Sequence, residues 1–198
     1  MAPNRNRKVS RSKSNKKLWL AIGIIAIAII VVGVYELIPR PPTKVLLQTS
    51  MGNITIELRN DMPITAGNFK NLVQNGTYDG TIFHRVIADF MIQGGDPTGT
   101  GYGDPAIPNI PDEFTGNNHN VNGTIAMANT GQPNSGSSQF FINVVDNNNR
   151  YASFDTSYPV FGKVISGMDV VDKIAAVPTN ANDKPLQNVT IISATIMP

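Results

Sequence analysis

The feature that most constrains this chain is an unbroken run of eighteen uncharged, almost wholly apolar residues, LWLAIGIIAIAIIVVGVY, from Leu18 to Tyr35. A helix of that length rises about 27 Å at ~1.5 Å per residue, which is close to the thickness of a bilayer core. A buried core helix keeps a polar face, and the apolar region of a cleavable signal peptide usually spans only about 7 to 15 residues. The run therefore predicts an uncleaved transmembrane helix over residues 18–38.

Charge is distributed unevenly on the two sides of this run. Residues 1–17 carry seven Lys or Arg and no acidic residue, whereas the chain after Thr43 carries eight Lys or Arg against thirteen Asp or Glu, a net charge of about −5. A basic tail can bind nucleic acid, but beside a membrane span its positive charge is better explained by retention in the cytoplasm. We therefore expect a basic cytoplasmic tail, a single pass through the cell membrane and an extracytoplasmic C-terminal domain, with no nucleic-acid partner.

The period of the sequence changes after the apolar run. The prolines of PRPP predict an extended linker over residues 39–43, followed by a folded domain over residues 44–198. Apolar and polar residues alternate in NITIELR, residues 53–59, as a half-buried strand requires, and further short β-like runs follow. Helical patterns follow Pro63 and occupy GMDVVDKIA, residues 167–175. Many short strands with two helices predict an antiparallel barrel or sandwich.

Searches for covalent or metal-dependent chemistry mostly fail. The chain has no cysteine, and its two histidines, His84 and His119, lack the close spacing of a zinc site. The run GTGYGD lacks the Lys-Ser/Thr of a phosphate-binding loop and is interpreted as a surface loop, and the serines of NSGSSQ lack the G-x-S-x-G pattern of a nucleophile. We therefore expect neither a metal nor a cofactor.

Three separated blocks carry a family resemblance. The blocks FHRVIADFMIQGGD at 83–96, MANTGQPNSGSSQFFI at 127–142 and PVFGKVISGMDVVDKI at 159–174 closely resemble the cyclophilin family of peptidyl-prolyl cis/trans isomerases. The resemblance extends from about residue 44 to the C-terminus. It implies a mainly β fold, a closed eight-stranded antiparallel β-barrel capped by two α-helices, here preceded by the single transmembrane helix.

The resemblance also implies a function. The domain would accelerate rotation about X-Pro bonds in proline-containing polypeptides and assist the folding of exported or surface proteins, without a cofactor. The alternative is a proline-recognising holdase or scaffold in which the same pocket binds proline with little turnover.

The resemblance assigns roles to individual residues. Arg85 would donate a hydrogen bond to the prolyl nitrogen in the twisted state, and Gln93 would hold the Arg85 side chain and bond the substrate backbone. The other implied residues are Phe90 and His84 in the catalytic group, and Met91, Met127, Asn129, Phe141, Phe154 and Tyr158 as substrate-binding residues.

One block departs from the family pattern. Counted back from VFGKV without a gap, Ser153 occupies the position where many cyclophilins carry tryptophan, Phe154 the following leucine position and Tyr158 the histidine position. Phe154 could fill either of the first two places if the loop shifts by one residue. Because Ser153 offers neither a flat apolar wall nor an indole N–H, we expect cyclosporin-type ligands to bind weakly.

Overall fold

The computed structural model describes residues 18–27, 29, 41–148, 150, 151 and 153–198. Residues 18–27 and 29 are helical. Within these described ranges, no helix has the length and hydropathy needed to cross a bilayer. The predicted tail over 1–17 lies outside the described residues, as do part of the predicted span over 18–38 and the first two residues of the predicted linker.

The C-terminal part of the chain is mainly β. Its strands and helices are β1 (Lys44–Thr49), β2 (Gly52–Leu58), α1 (Thr65–Gln74), β3 (Arg85–Ile87), β4 (Met91–Gly94), β5 (Thr124–Met127), β6 (Phe140–Asn143), α2 (Phe154–Ser157), β7 (Val160–Ser166), α3 (Met168–Ala175) and β8 (Ile191–Ile196). The strands form one sheet in the order β3-β4-β6-β5-β7-β2-β1-β8, and every pairing is antiparallel. The predicted antiparallel fold with eight strands is confirmed.

The sheet does not close into a barrel, so the predicted closed barrel is wrong. Its edge strands β3 and β8 share no ladder, and near them Ile82 and Thr190 form a single bridge. β3 is only three residues long. At its free edge the N–H of Val86 donates to the carbonyl of Asp183 at 2.7 Å, so a loop pairs there instead of a strand. The loop of residues 179–185 thus occupies the place where a ladder to β8 would continue, and the sheet is an open half-barrel.

The two helices predicted from the sequence are α1 and α3, and α2 adds a single turn. α1 begins after Pro63, and the carboxylate of Glu113 accepts hydrogen bonds from Ile64 N–H at 3.2 Å and Thr65 N–H at 2.8 Å. Glu113, which is distant in the sequence, therefore accepts hydrogen bonds from N–H groups at the start of the helix that no helix side chain caps. Gly76 reverses the chain after α1 with a φ of 68°, a left-handed conformation that suits glycine.

Most apolar side chains pack inside the curled sheet. Phe69 of α1 lies at the centre, with its ring centroid 5.1 Å from those of Tyr78 and Phe161 and 5.4 Å from that of Phe140. Val171 and other apolar residues of α3 join the same core. A second, smaller apolar cluster lies apart from this core and contains Met91, Ala126, Phe141, Phe154 and Val160.

Candidate active site

The second cluster exists because strand side chains alternate between two faces. On β4, Ile92 belongs to the main core and Met91 to the second cluster, and on β6, Ile142 and Phe141 divide in the same way. The register places Phe141 opposite Gln93 and Ala126. The outer face of β4, β5 and β6 therefore provides a partly apolar floor with a polar amide at its edge.

Aromatic rings form the walls above this floor. The ring of Phe141 lies 5.4 Å from that of Tyr158 at an interplanar angle of 85°, and Phe90 lies 5.7 Å from Phe154 at 61°. The rings of Phe154 and Tyr158 are 4.6 Å apart. Tyr151 packs behind Phe90 and Phe154 at 5.8 and 5.7 Å. These edge-to-face and tilted contacts favour a stable arrangement of the walls.

The walls enclose a cavity of about 340 Å³. Nine of the ten predicted site residues line it, namely His84, Arg85, Phe90, Met91, Gln93, Asn129, Phe141, Phe154 and Tyr158. The volume falls at the lower end of the range for small-molecule sites, and apolar walls with a few polar groups are typical of such sites.

Met127 is the predicted site residue that does not line the cavity. Its side chain is buried in the main core, whereas Ala126 before it belongs to the second cluster and Ala128 after it packs against that cluster. The reason is the two-residue alternation of β5, which turns Met127 away from the face that carries Phe141. The prediction that Met127 contacts substrate is therefore corrected.

Arg85 stands at the mouth of the cavity on β3, directly opposite Gln93 of β4. Its side chain is 45% exposed, and its Nε pairs with the carboxylate of Asp183 at 3.4 Å. Gln93 Nε2 donates instead to Gln139 Oε1 at 2.9 Å, and Gln139 Nε2 donates to the Gly101 carbonyl at 3.0 Å. In the structure, therefore, Arg85 contacts Asp183 and Gln93 contacts Gln139, whereas the prediction has Gln93 hold the Arg85 side chain.

His84 is buried at the back of the cavity. Burial lowers the pKa of His84, although the negative charge of Asp96 opposes the shift. Neither ring nitrogen has a hydrogen-bond partner among the residues that the structure describes. A methyl group added at Gly101 would lie 3.3 Å from the imidazole Cδ2. The buried imidazole therefore packs against Gly101, and the assignment of His84 to the catalytic group stays a prediction.

The run GTGYGD, predicted to be a surface loop, forms one wall of the cavity through Thr100, Gly101 and Tyr102. The buried carboxylate of Asp96 organises this wall. It accepts hydrogen bonds from the N–H groups of Thr98 at 2.9 Å and Gly101 at 2.6 Å. Burial alone would raise the pKa of Asp96, but hydrogen bonds from Thr98 and Gly101 hold it below its ordinary value.

Sequence reasoning missed several residues of this neighbourhood. Besides the three loop residues, Ala128 and Asn182 line the cavity. Ala128 lies inside a block that resembles the family, so its position beside Asn129 was a usable signal. Asn182 belongs to the 179–185 loop, which carries no periodic pattern and reaches the cavity only through the tertiary fold.

Of the residues proposed for the rim, Phe154 lines the cavity and Ser153 does not. Ser153 precedes α2, and it is Phe154 whose ring lines the cavity. Asn129 supports this rim, since its Nδ2 donates to the Ser157 carbonyl at 2.7 Å. The side-chain amide of Asn129 is therefore engaged within the protein.

The sequence matches the model of one family, Cyclophilin type peptidyl-prolyl cis-trans isomerase/CLD, over residues 44–196. The chain is similar to a peptidyl-prolyl cis-trans isomerase of Acinetobacter baylyi, at 53% identity over 161 residues, covering 78% of this chain and 85% of the relative. It is also similar to the peptidyl-prolyl cis-trans isomerase ppi1 of Schizosaccharomyces pombe, at 44% identity over 155 residues, covering 76% of this chain and 97% of the relative.

The fold is similar to that of a Cryptosporidium parvum cyclophilin type isomerase, with a TM-score of 0.73 and 31% identity over 79% of this chain and 98% of that one. A second structure of that protein, obtained in the presence of the dipeptide Ala-Pro, gives a TM-score of 0.72 at 32% identity, over 78% of this chain and 99% of that one. This chain belongs to the cyclophilin family and is a peptidyl-prolyl cis-trans isomerase.

Proposed function

We propose that this chain acts on proline-containing polypeptides by holding the proline ring in the aromatic cavity while the preceding peptide bond rotates. The observation that carries the proposal is a charged Arg85 at the mouth of a cavity lined by Phe90 and Phe141. An X-Pro bond rotates slowly because amide resonance gives its C–N bond partial double-bond character, with a barrier of about 18 to 20 kcal/mol. An isomerase needs only to stabilise the twisted state, so no nucleophile is required.

Arg85 supplies that stabilisation. In the twisted state resonance is lost, and the prolyl nitrogen becomes pyramidal and able to accept a hydrogen bond. Asp183 engages the Nε of Arg85, which leaves the two Nη groups for the substrate. The guanidinium stays charged at any physiological pH. A reduction of the barrier by ~4 kcal/mol increases the rate about 10³-fold, which is within the range of one well-placed charged donor.

The other residues bind and orient the peptide. Met91, Phe141 and the ring of Phe154 contact the apolar proline ring, and a cavity with preformed walls costs little reorganisation when the ring enters. Gln93 bonds the peptide backbone on the proline side, and the backbone of Asn129 bonds it beyond the cavity. An extended peptide held at these points keeps its proline fixed while the preceding carbonyl swings.

Exchange spectroscopy on a short Ala-Pro peptide tests this proposal. With catalytic amounts of the protein and no added metal or cofactor, the cis and trans signals should exchange much faster than in the free peptide. Peptide that binds without faster exchange would favour the holdase or scaffold alternative, because a pocket can recognise proline without lowering the barrier.

We further propose that the N-terminal run anchors the protein in the cell membrane, with the tail in the cytoplasm and the isomerase domain outside. The support is the sequence itself: eighteen apolar residues preceded by seven basic ones. Residues 18–27 and 29, which belong to this run, are helical. In this location the enzyme would meet exported or surface polypeptides as they fold.

Carbonate washing and protease treatment of intact cells test this arrangement. The full chain should remain with the membrane fraction, and external protease should remove the domain. A double variant with Ile24→Lys and Ile27→Lys should release the protein, since each charge costs about 2.5 to 3.5 kcal/mol at the centre of a span. A domain that resists protease until the cells are lysed would reverse the proposed orientation.

A further inference from the structure

Four buried asparagines lie behind the aromatic walls of the cavity. Asn120, Asn143 and Asn147 have no exposed surface, and Asn118 is 7% exposed. A buried amide without partners is costly, so each of these side chains needs hydrogen bonds within the protein. The bonds they form connect the cavity walls to one another.

The bonds form a continuous chain from one wall to the other. Asn147 Nδ2 donates to the carbonyl of Phe90 at 2.9 Å and to Asn143 Oδ1 at 2.7 Å. Asn143 Nδ2 donates to Asn120 Oδ1 at 3.1 Å, and Asn120 Nδ2 donates to the carbonyl of Tyr158 at 3.1 Å. Three side-chain amides therefore link the backbone of Phe90 to that of Tyr158.

The orientation of each amide in this chain is determined by its partners. The second hydrogen of Asn143 Nδ2 points to Thr124 Oγ1 at 2.9 Å, and that of Asn120 Nδ2 points to Asp155 Oδ1 at 3.2 Å. Each Nδ2 group thus donates twice, which is its full capacity. Rotating any one amide by half a turn would replace donors with acceptors and lose at least two bonds. The chain has one arrangement, which is what a spacer between two walls requires.

The two walls need such a spacer because neither lies in a regular strand. Phe90 precedes β4, and Asp89 before it has a φ of 55°, an uncommon conformation for a residue other than glycine. Tyr158 follows α2, which has only four residues. Sheet register fixes Phe141 on the floor, but it does not fix the distance between these two flanking segments.

We propose that Asn120, Asn143 and Asn147 are positioning residues that set the separation of the Phe90 wall from the Tyr158 wall, and so the fit of the proline ring. The inference rests on the proposed function of the cavity. None of the three side chains lines the cavity. Their effect on catalysis therefore passes through the walls rather than through contact with the peptide.

The substitution Asn143→Leu tests the proposal in the full chain, because Asn143 bonds to neither wall directly. Leucine has a similar size but cannot donate. The expected result is a KM for the Ala-Pro peptide that rises about fivefold or more with kcat changed less than about twofold, the pattern of lost binding common to ground and transition states. NMR signals of both the Phe90 and Tyr158 rings should shift.

Two control variants separate positioning from simple loss of stability. Val171→Ala removes buried core volume on α3, lowers Tm and should leave KM unchanged. Asn118→Ala removes hydrogen bonds to the carbonyls of Tyr158 and Asp155 and from the N–H of Val160, but none with Phe90. Of the two ring signals, therefore, only that of Tyr158 should move. An Asn143→Leu protein with lowered Tm, unchanged KM and unmoved ring signals would overturn the proposal.

Asn147→Ala serves if Asn143→Leu does not fold. This change removes the bond to Phe90 and leaves the links from Asn143 to Tyr158 intact. KM should rise and the ring shift should be confined to Phe90, and an unchanged KM would overturn the proposal. The ring signals report on the hydrogen-bonded series of asparagines even if the protein does not isomerise the peptide. Loss of isomerisation in the wild-type protein would therefore contradict the proposed function and leave the positioning result readable.

Discussion

Replacing Arg85 with alanine should remove activity while leaving the fold almost unchanged. The Arg85 and Asp183 side chains are 45% and 42% exposed and their ion pair is 3.4 Å long. An exposed pair of this kind contributes about 0 to 1 kcal/mol, so the free energy of unfolding should fall by no more than that. The lost donor should cost about 3 to 4 kcal/mol at the transition state, a decrease of roughly 10² to 10³ in kcat/KM.

A second arginine provides the opposite control. The Arg59 side chain is 18% exposed, and it donates to both carboxylate oxygens of Asp61 at 3.0 and 2.7 Å and to the carbonyls of Asn117 and Val160 at 2.9 and 3.1 Å. Arg59→Ala leaves these acceptors without their donor, so the free energy of unfolding should fall by about 2 to 4 kcal/mol. The hydrogen bond from Arg59 also lowers the pKa of Asp61, a shift that the variant should lose. The kcat/KM of the folded fraction should stay within about twofold of wild type.

Denaturant unfolding and exchange spectroscopy on the same samples measure both effects. Arg85→Lys adds a test of geometry, since lysine keeps the charge but not the planar fork, and most activity should still be lost. Equal kcat/KM for wild type and Arg85→Ala would refute the role of the guanidinium. If Arg85→Ala lowers the free energy of unfolding as much as Arg59→Ala does, the conclusion that Arg85 contributes little to stability is refuted.

Three further predictions concern pH, the rim and the backbone. The folded-state pKa of His84 lies below its unfolded value of about 6.5, so the unfolded chain binds more protons as the pH falls. The contribution of His84 to the free energy of unfolding should therefore be complete above about pH 6.5 and should decline as the pH falls below that value. In unfolding titrations between pH 8 and 5, His84→Gln should flatten this decline. Because Phe154 lines the cavity and Ser153 does not, Phe154→Trp should tighten binding of a cyclosporin-type ligand more than Ser153→Trp, and calorimetric titration showing the reverse order would contradict this account of the rim. Gly95 and Gly80 both have positive φ, at 82° and 77°, but a methyl group would lie 2.6 Å from the Ser138 carbonyl at Gly95 and meet nothing within 4 Å at Gly80. Gly95→Ala should therefore lower the free energy of unfolding by at least ~2 kcal/mol more than Gly80→Ala, and equal losses would contradict the steric argument.

The resemblance of three sequence blocks to the cyclophilin family assigned most of the residues that line the cavity. It failed for Met127, although the two-residue period of β5 already separates Met127 from the face shared by Ala126 and Phe141. It could not predict the Asp183 partner of Arg85, which lies 98 residues away in a loop without periodicity.

The closed barrel failed for a similar reason. Whether β3 meets β8 depends on where the 179–185 loop lies, and local patterns do not encode that position. The Asn chain also escaped prediction, because asparagine suits turns as well as it suits buried networks. In each case the missing information is a contact between segments distant in the sequence.

The open edges of the sheet have a consequence for an isomerase that acts on proline-containing peptides. Unpaired strand edges recruit other extended chains and promote aggregation. On the β3 edge, the N–H of Val86 donates a hydrogen bond to the carbonyl of Asp183. On the β8 edge, the N–H of Ala194 donates to the carboxylate of Asp79 at 2.8 Å. On the same edge, Gly80 N–H donates to the carbonyl of Ile191, and Ile191 N–H donates to the carbonyl of Thr81. A peptide that approaches these edges therefore finds several backbone groups already paired, which disfavours its addition to the sheet as another strand.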